Sequence, residues 1–370
     1  MKKNLLLSDV PNHILNLKPY IAGKPIAETM REFDIQQVIK LASNENPLGP
    51  SPLAIQVILE TLPEIHRYPD SRQFEIKKTL SENLKCHPDE LCFGNGSNEL
   101  IDLLIRVFIP THRNLVTHKK AFPVYRLCAA LQGCGCIEAD IDETTLKVTA
   151  DGLLNAVNTD TRMVMLANPN NPTGQYLNKE EIFYCAKYLD ERNILFVLDY
   201  AYWEYVTEKT IPDPNEVFKK FQNVIILRTF SKIYGLASLR LGYALGHKDV
   251  IAVLEKARQP FNVSLLATQA AQAALKDTSF LTKSFELNIQ SKADLEKGLK
   301  NFGFTVYPTQ GNFILVDIHQ DSEKFYPEYL KRGVIVRPVT SCGLKTHFRI
   351  TAGLLEENKK LFVATKEIFK

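Results

Sequence analysis

No stretch of the sequence approaches the roughly 18 consecutive apolar residues that a membrane-crossing helix requires, so a membrane-spanning protein is not expected. Met1-Lys2-Lys3 carries the charge of a signal peptide, but Leu5-Leu6-Leu7 gives way at once to Ser8-Asp9, too short an apolar run for one. The expected location is the cytoplasm. An excess of one charge sign is missing as well: 45 Lys and Arg face 42 Asp and Glu, a formal charge of +3, with no basic run. That argues against nucleic acid or an anionic membrane as partner. The seven cysteines are an odd number, scattered singly apart from Cys134-Gly135-Cys136, with no C-x-x-C pair and no His-rich segment beside them. A metal site is therefore not expected, and the thiols read as reduced, small hydrophobes. Internal repeats and low-complexity linkers are lacking too.

What is present is ordinary globular material, 370 residues at 45% hydrophobic, enough for two linked domains with their own cores. Short β-branched runs predict strands at Asn114–Thr117, Met163–Ala167, Ile194–Leu198, Val224–Leu227 and Gly242–Gly246. The run 194–198 is apolar at every position, as a strand buried on both faces should be. Helical patterns lie between them, among them Lys179–Asp190 and the stripe Leu100, Leu103, Leu104, Val107, Phe108. Alternating strands and helices predict an α/β fold with a mainly parallel sheet covered on both sides. Beyond about Arg258, long helical segments (264–300) precede strands near Phe313–Val316 and Phe348–Ile350, the pattern of a smaller α+β unit. The division is a large domain over 45–260 and a small domain formed by 1–44 and 261–370.

Several segments at predicted strand ends carry chemistry. Gly94-Asn95-Gly96-Ser97-Asn98-Glu99 precedes a helix. It reads as a tight turn with Ser97 as N-cap, or as a phosphate cradle in which the first helical N–H groups and the dipole face an anion. Asn168-Pro169-Asn170-Asn171-Pro172-Thr173-Gly174 is a rigid connection, or one that presents the Asn171 amide where open α/β sheets bind ligands. Asp199 follows the all-apolar strand. It caps the next segment, or else it is a buried carboxylate that needs a cationic partner. Tyr202 lies three residues on. In Arg228-Thr229-Phe230-Ser231-Lys232, the lysine sits among hydroxyls and small residues. It is a surface group, or a desolvated amine able to form a Schiff base. Arg240 follows eight residues later.

Taken in order, N-P-x-N-P-T-G, D-x-A-Y, S-K with an arginine eight residues on, and the late Arg349-Ile350-Thr351-x-Gly353 resemble the fold-type-I aminotransferases over about residues 15–355. Lys18-Pro19-Tyr20 with Gly23-Lys24-Pro25, Leu41–Pro50, Arg67-Tyr68-Pro69-Asp70 and Pro260-Phe261-Asn262-Val263 are most similar to the histidinol-phosphate branch of that family. The resemblance implies a seven-stranded, mainly parallel sheet between helices and pyridoxal 5'-phosphate as cofactor. It also implies transfer of an amino group between L-histidinol phosphate and 2-oxoglutarate, in a homodimer.

The resemblance also implies roles. Lys232 would carry the cofactor as a Schiff base and shuttle the Cα proton. Asp199 would pair with the pyridine nitrogen, so that the ring acts as an electron sink. Asn171 and Tyr202 would bond the ring's phenolate oxygen, and Phe122 would stack on the ring. Ser97, Asn98, Thr229, Ser231 and Arg240 would hold the phosphate, with Tyr68 reaching it from the partner subunit. Arg349 would clamp the substrate anion, with Tyr20 and Arg337 as further candidates for the substrate's phosphate end. Two departures stand out: Tyr200 replaces the usual acidic residue after Asp199, which is expected to reshape the cofactor's surroundings, and Ile21-Ala22-Gly23 lacks a proline before the glycine. An aromatic amino-acid aminotransferase is the alternative on this scaffold, followed by a phosphothreonine-type decarboxylase. A non-catalytic sensor would need a DNA-binding appendage, and the first forty-odd residues lack a basic recognition helix.

Overall fold

The computed structural model describes residues 7–17, 19 and 23–370. Its centre is a seven-stranded sheet built from Leu91–Asn95 (β1), Asn114–His118 (β2), Gly135–Ala139 (β3), Thr161–Ala167 (β4), Leu195–Asp199 (β5), Val224–Thr229 (β6) and Leu241–Leu245 (β7). The spatial order is β1-β7-β6-β5-β4-β2-β3. Neighbours from β6 through β3 pair in parallel, whereas β7 runs antiparallel to both β6 and β1. β5 and β6 are buried along almost their whole length because helices cover both faces, and two core clusters lie on opposite sides of the sheet. The fold is α/β with a mostly parallel sheet, as expected.

Sequence periodicity missed β1 and β3. β3 carries mostly half-exposed residues, so its apolar signal is diluted at the sheet edge. The stripe at 100–108 falls in the helix Ser97–Phe108, whose Leu100, Leu103 and Leu104 are buried. The segment 264–300 is two helices, Leu265–Lys276 and Thr278–Lys300, separated at Asp277. Asp277 accepts from the Phe280 amide and, at 2.6 Å, from the Ser51 hydroxyl, so the break is itself a capping site. The alanine-rich helix before it packs against the helix Pro52–Thr61 and contributes Ala267, Ala270, Ala271 and Ala274 to the core beneath the central sheet.

A second, four-stranded antiparallel sheet joins Arg337–Pro338, His347–Thr351, Phe313–Asp317 and Thr305–Tyr307, in that spatial order. It has its own core, with Leu295, Leu299, Ile314, Val316, Phe348, Ile350 and Leu361. Residues from the other end of the chain complete this region: Ile39–Lys40 pairs in parallel with Val334–Ile335, and Thr351 N–H donates to Leu41 O. That brings Ala42, Ser43 and Asn44 over the mouth of the central sheet. Among the described residues no helix is long and apolar enough to cross a membrane.

Candidate active site

The parallel strands deliver their following loops to one edge of the sheet. β7 is reversed, so it brings its beginning there instead, which is how Arg240, one residue before β7, joins residues that follow β1, β4, β5 and β6. Together with Ala42–Asn44 these loops enclose a cavity of about 240 Å³. Ser97, Asn98, Phe122, Asn171, Asp199, Tyr202, Thr229, Ser231, Lys232, Arg240, Arg337 and Arg349 all line it. Tyr68 does not. Its side chain is 82% exposed and its ring stacks on Phe261 at 4.8 Å, over a separate open hollow. Tyr20 lies outside the described residues.

The helix start after β1 departs from the expected capping. Gly96, not Ser97, is the N-cap, and its φ of +76° is a conformation that favours glycine. Ser97 is the first helical residue, so its hydroxyl does not cap. The Glu99 carboxylate instead accepts from the Asn95 amide and from Asn262 Nδ2. A Cβ on Gly96 would stand 2.3 Å from Arg240 Nη2. The guanidinium thus lies directly over the helix start, held by Ala237 O at 2.9 Å and Ser231 Oγ at 3.3 Å. A cation, two hydroxyls (Thr229 and Ser231) and the N-terminus of a 12-residue helix converge there, a donor set suited to a phosphate. Gly96→Ala is expected to displace Arg240 and weaken phosphate-dependent ligand binding at least tenfold, about 1.4 kcal/mol, read by equilibrium titration. Unchanged affinity would take Arg240 out of the cradle.

Asp199 is the last residue of β5 rather than the first of the loop, and it is 5% exposed. Burial pushes its carboxyl up to about 6, against the opposing pull of the Tyr125 hydroxyl, the Ala201 amide and the Lys232 charge. Tyr125 Oη donates to Oδ2 at 3.0 Å and Ala201 N–H to Oδ1 at 3.1 Å. Both donors are neutral, so a cationic ring nitrogen in the cavity would offset what burial costs this carboxylate. Tyr125 was not assigned a role from sequence. Its place three residues after Phe122, in the first turn of the helix Val124–Gln132, was the available signal.

Tyr200 points the other way. Successive strand-end residues face opposite sides of the sheet, and Tyr200 is fully buried in the opposite core with its ring edge-on to Trp203. It does not line the cavity, so any influence on a bound cofactor would pass through the residues that do.

The asparagines of 168–174 divide their work. Asn168 exchanges bonds with Leu177, donating to its O and accepting from its N, and Asn170 donates to Lys120 O, so both lock the loop. Asn171 faces the cavity, where its Oδ1 accepts from Arg349 Nη1 at 2.7 Å, and Arg349 Nη2 also donates to Ala42 O. Arg337 is the register partner of Arg349 on the adjacent strand. Directly opposed residues of an antiparallel pair share a face, so both arginines project from one wall of the cavity.

Lys232 is half-buried, and Nζ donates to Ser43 O at 3.3 Å. Burial, then the charges of Arg349 and Arg240, lower its ammonium to about 8, although Glu45 and Asp199 pull the other way. The turn at 46–50 presses on this loop: Asn46 Nδ2 donates to Ile233 O, and a Cβ on Gly235 would meet Gly49 O at 2.1 Å. Among the described residues no group of three or more His, Cys, Asp or Glu side chains could hold a metal ion.

A model of the class I and II aminotransferases matches residues 36–364. The chain belongs to that family. The aminotransferase is 40% identical over 362 residues to a histidinol-phosphate aminotransferase of Anaeromyxobacter sp. (strain Fw109-5), covering 97% of this chain and 98% of that protein. It is 41% identical over 359 residues to histidinol-phosphate aminotransferase 2 of Pseudomonas aeruginosa, covering 96% of each. Among solved structures it resembles histidinol-phosphate aminotransferase from Sinorhizobium meliloti in complex with pyridoxal-5'-phosphate. That likeness has a TM-score of 0.88 at 26% identity and covers 98% of each chain.

Proposed function

We propose that this aminotransferase uses pyridoxal 5'-phosphate to exchange an amino group between L-histidinol phosphate and 2-oxoglutarate, as in histidine biosynthesis. The observation that carries the substrate assignment is the register pairing of Arg337 with Arg349 on the cavity wall. A lone arginine suffices for an α-carboxylate, whereas two adjacent guanidiniums suit a phosphate dianion. The aromatic amino-acid alternative uses only one of them.

In this reading the residues around Gly96 and Arg240 hold the cofactor's phosphate, Phe122 covers one face of the ring, and Asn171 and Tyr202 bond its phenolate oxygen. The bound cofactor supplies an electron sink for the bonds at the substrate's Cα. Asp199 keeps a proton on the ring nitrogen, and its burial makes that pairing strong. Lys232 Nζ attaches the cofactor at rest and moves the proton at Cα during transfer. Arg349, with Arg337, anchors glutamate by a carboxylate and histidinol phosphate by its phosphate.

The large unit over 45–260 and the small unit of 1–44 with 261–370 would close on this site. A homodimer, with Tyr68 reaching the partner's phosphate cradle, is supported by exposed Leu59, Ile65, Tyr68 and Phe74 within one short stretch. A monomeric mass in sedimentation would remove the shared site. A cytoplasmic location fits small soluble substrates.

The function is tested by mixing cofactor-loaded protein separately with L-histidinol phosphate, phenylalanine and glutamate and following the cofactor's absorbance. Fast conversion by histidinol phosphate with slow conversion by phenylalanine is expected, and the reverse order would move the substrate to aromatic amino acids. Arg349→Ala is expected to lower kcat/KM by about a hundredfold for glutamate and for histidinol phosphate alike, since a charged hydrogen bond contributes roughly 1.5–3 kcal/mol. Loss for only one of them would separate the two anion sites. The Lys232 amine reacts only when neutral, so cofactor capture by cofactor-free protein should accelerate as pH rises and level off above about 8. A rate still climbing through pH 10 would show an ordinary solvated lysine.

A further inference from the structure

The phenol of Tyr202 meets a side chain to which the motifs assigned no role. Asn44 Nδ2 donates to Tyr202 Oη at 2.9 Å. The amide is held in that orientation, because its Oδ1 accepts from the Thr351 hydroxyl at 3.1 Å and its own backbone N–H donates to Thr351 Oγ1 at 2.9 Å. Asn312 Nδ2 donates to the Asn44 carbonyl at 3.0 Å. Asn44 is 1% exposed and has a φ of +53°, a left-handed conformation in which asparagine is enriched among residues with a Cβ. Thr351 is two residues beyond Arg349 on the strand His347–Thr351, so the hydroxyl that orients Asn44 and the guanidinium on the cavity wall share one strand face.

We propose that Asn44 is a positioning residue for Tyr202: its amide, locked by Thr351, holds the phenol oxygen so that Tyr202 donates to the cofactor's ring oxygen. The inference rests on the function proposed above. With Oδ1 occupied by a hydroxyl donor, only the Nδ2 end of the amide faces Tyr202, so Asn44 meets the phenol as a donor. A donor on Oη polarises the phenol and strengthens the hydrogen bond that the phenol itself gives. The strand bearing Arg349 thereby influences the direction of the Tyr202 proton.

The consequence is spectroscopic. A phenol donating to the ring oxygen stabilises the form in which that oxygen's negative charge is least compensated, the form left after the Lys232-linked nitrogen loses its proton. Weakening the donor therefore raises the pH midpoint of the loaded protein's colour change, measured without substrate. Tyr202→Phe is expected to raise it by about one pH unit, and Asn44→Gly, which keeps the left-handed backbone and adds no charge, by about half as much. The double variant should match Tyr202→Phe, because Asn44 acts through the phenol. Thr351→Val should shift the midpoint in the same direction by less, and it carries the test if Asn44→Gly does not fold.

Midpoints of Asn44→Gly and Thr351→Val that coincide with the wild type's, while Tyr202→Phe moves, would overturn the inference alone. Additive shifts in the double variant would overturn it as well. An unmoved Tyr202→Phe would remove the role of Tyr202 and this inference with it. Wild-type protein that takes up no cofactor would sink the proposed function itself.

Discussion

Lys232→Ala is expected to reduce transamination by at least about four orders of magnitude, the upper range for loss of a positioned acid–base group, because in the proposed function one amine would both attach the cofactor and move the Cα proton. Nζ has been made suitable for that work by its surroundings. Burial and the neighbouring Arg349 and Arg240 lower the ammonium to about 8, so an appreciable fraction is neutral near physiological pH. Alanine removes the amine and leaves the rest of the cavity in place, since Ser231, Thr229 and Arg240 hold their positions through bonds that do not involve Lys232. The fold should therefore survive, with a melting temperature at or above that of the wild type, because a partly desolvated charge has been removed. Single-turnover absorbance with histidinol phosphate, beside a thermal melt, checks both parts. Turnover at the wild-type rate in a folded variant would end the assignment of Lys232.

Asp199→Asn is the second large effect. The side chain is nearly isosteric and can still accept from Tyr125, so cofactor affinity should change little. The residues proposed to hold the cofactor's phosphate lie at other strand ends. The rate should fall by about two to three orders of magnitude, comparable to the loss of a preorganised electrostatic contact. In the proposed function a neutral amide would not stabilise a proton on the ring nitrogen, so less electron density would be drawn from Cα. The combination to look for is a slow half-reaction with a nearly unchanged cofactor dissociation constant. A parallel loss of both would mean that Asp199 contributes to binding rather than to chemistry, and an unchanged rate would exclude it from the mechanism.

Much of the site was legible because its groups sit immediately after apolar strands, where periodicity stops and unusual residues stand out. Asp199, Asn171 and Lys232 were found in this way, and Arg349 through the late R-I-T segment. Tyr125 and Asn44 escaped. Tyr125 lies within a helical apolar pattern, and a tyrosine there reads as core until its hydroxyl is seen 3.0 Å from Asp199. Asn44 is separated from Tyr202 by 158 positions and from Thr351 by 307, and no local pattern encodes a contact across such distances. Ser97 was misjudged as the cap because composition favours serine there, whereas the positive φ at the turn makes the preceding glycine the cap.

By itself, the sequence determined the alternation of strands and helices, the chemistry available at each strand end, and the order of motifs that places the chain in its family. Those depend on side-chain period and local turn chemistry, which act over a few residues. The tertiary structure alone decided that β7 runs backwards and so delivers Arg240 to the same edge as Lys232. It also decided that Tyr200 turns into the opposite core, and that Arg337 and Arg349 stand opposite one another. Strand direction, facing and register are set by which distant surfaces bury each other, and that is a property of the packed chain as a whole.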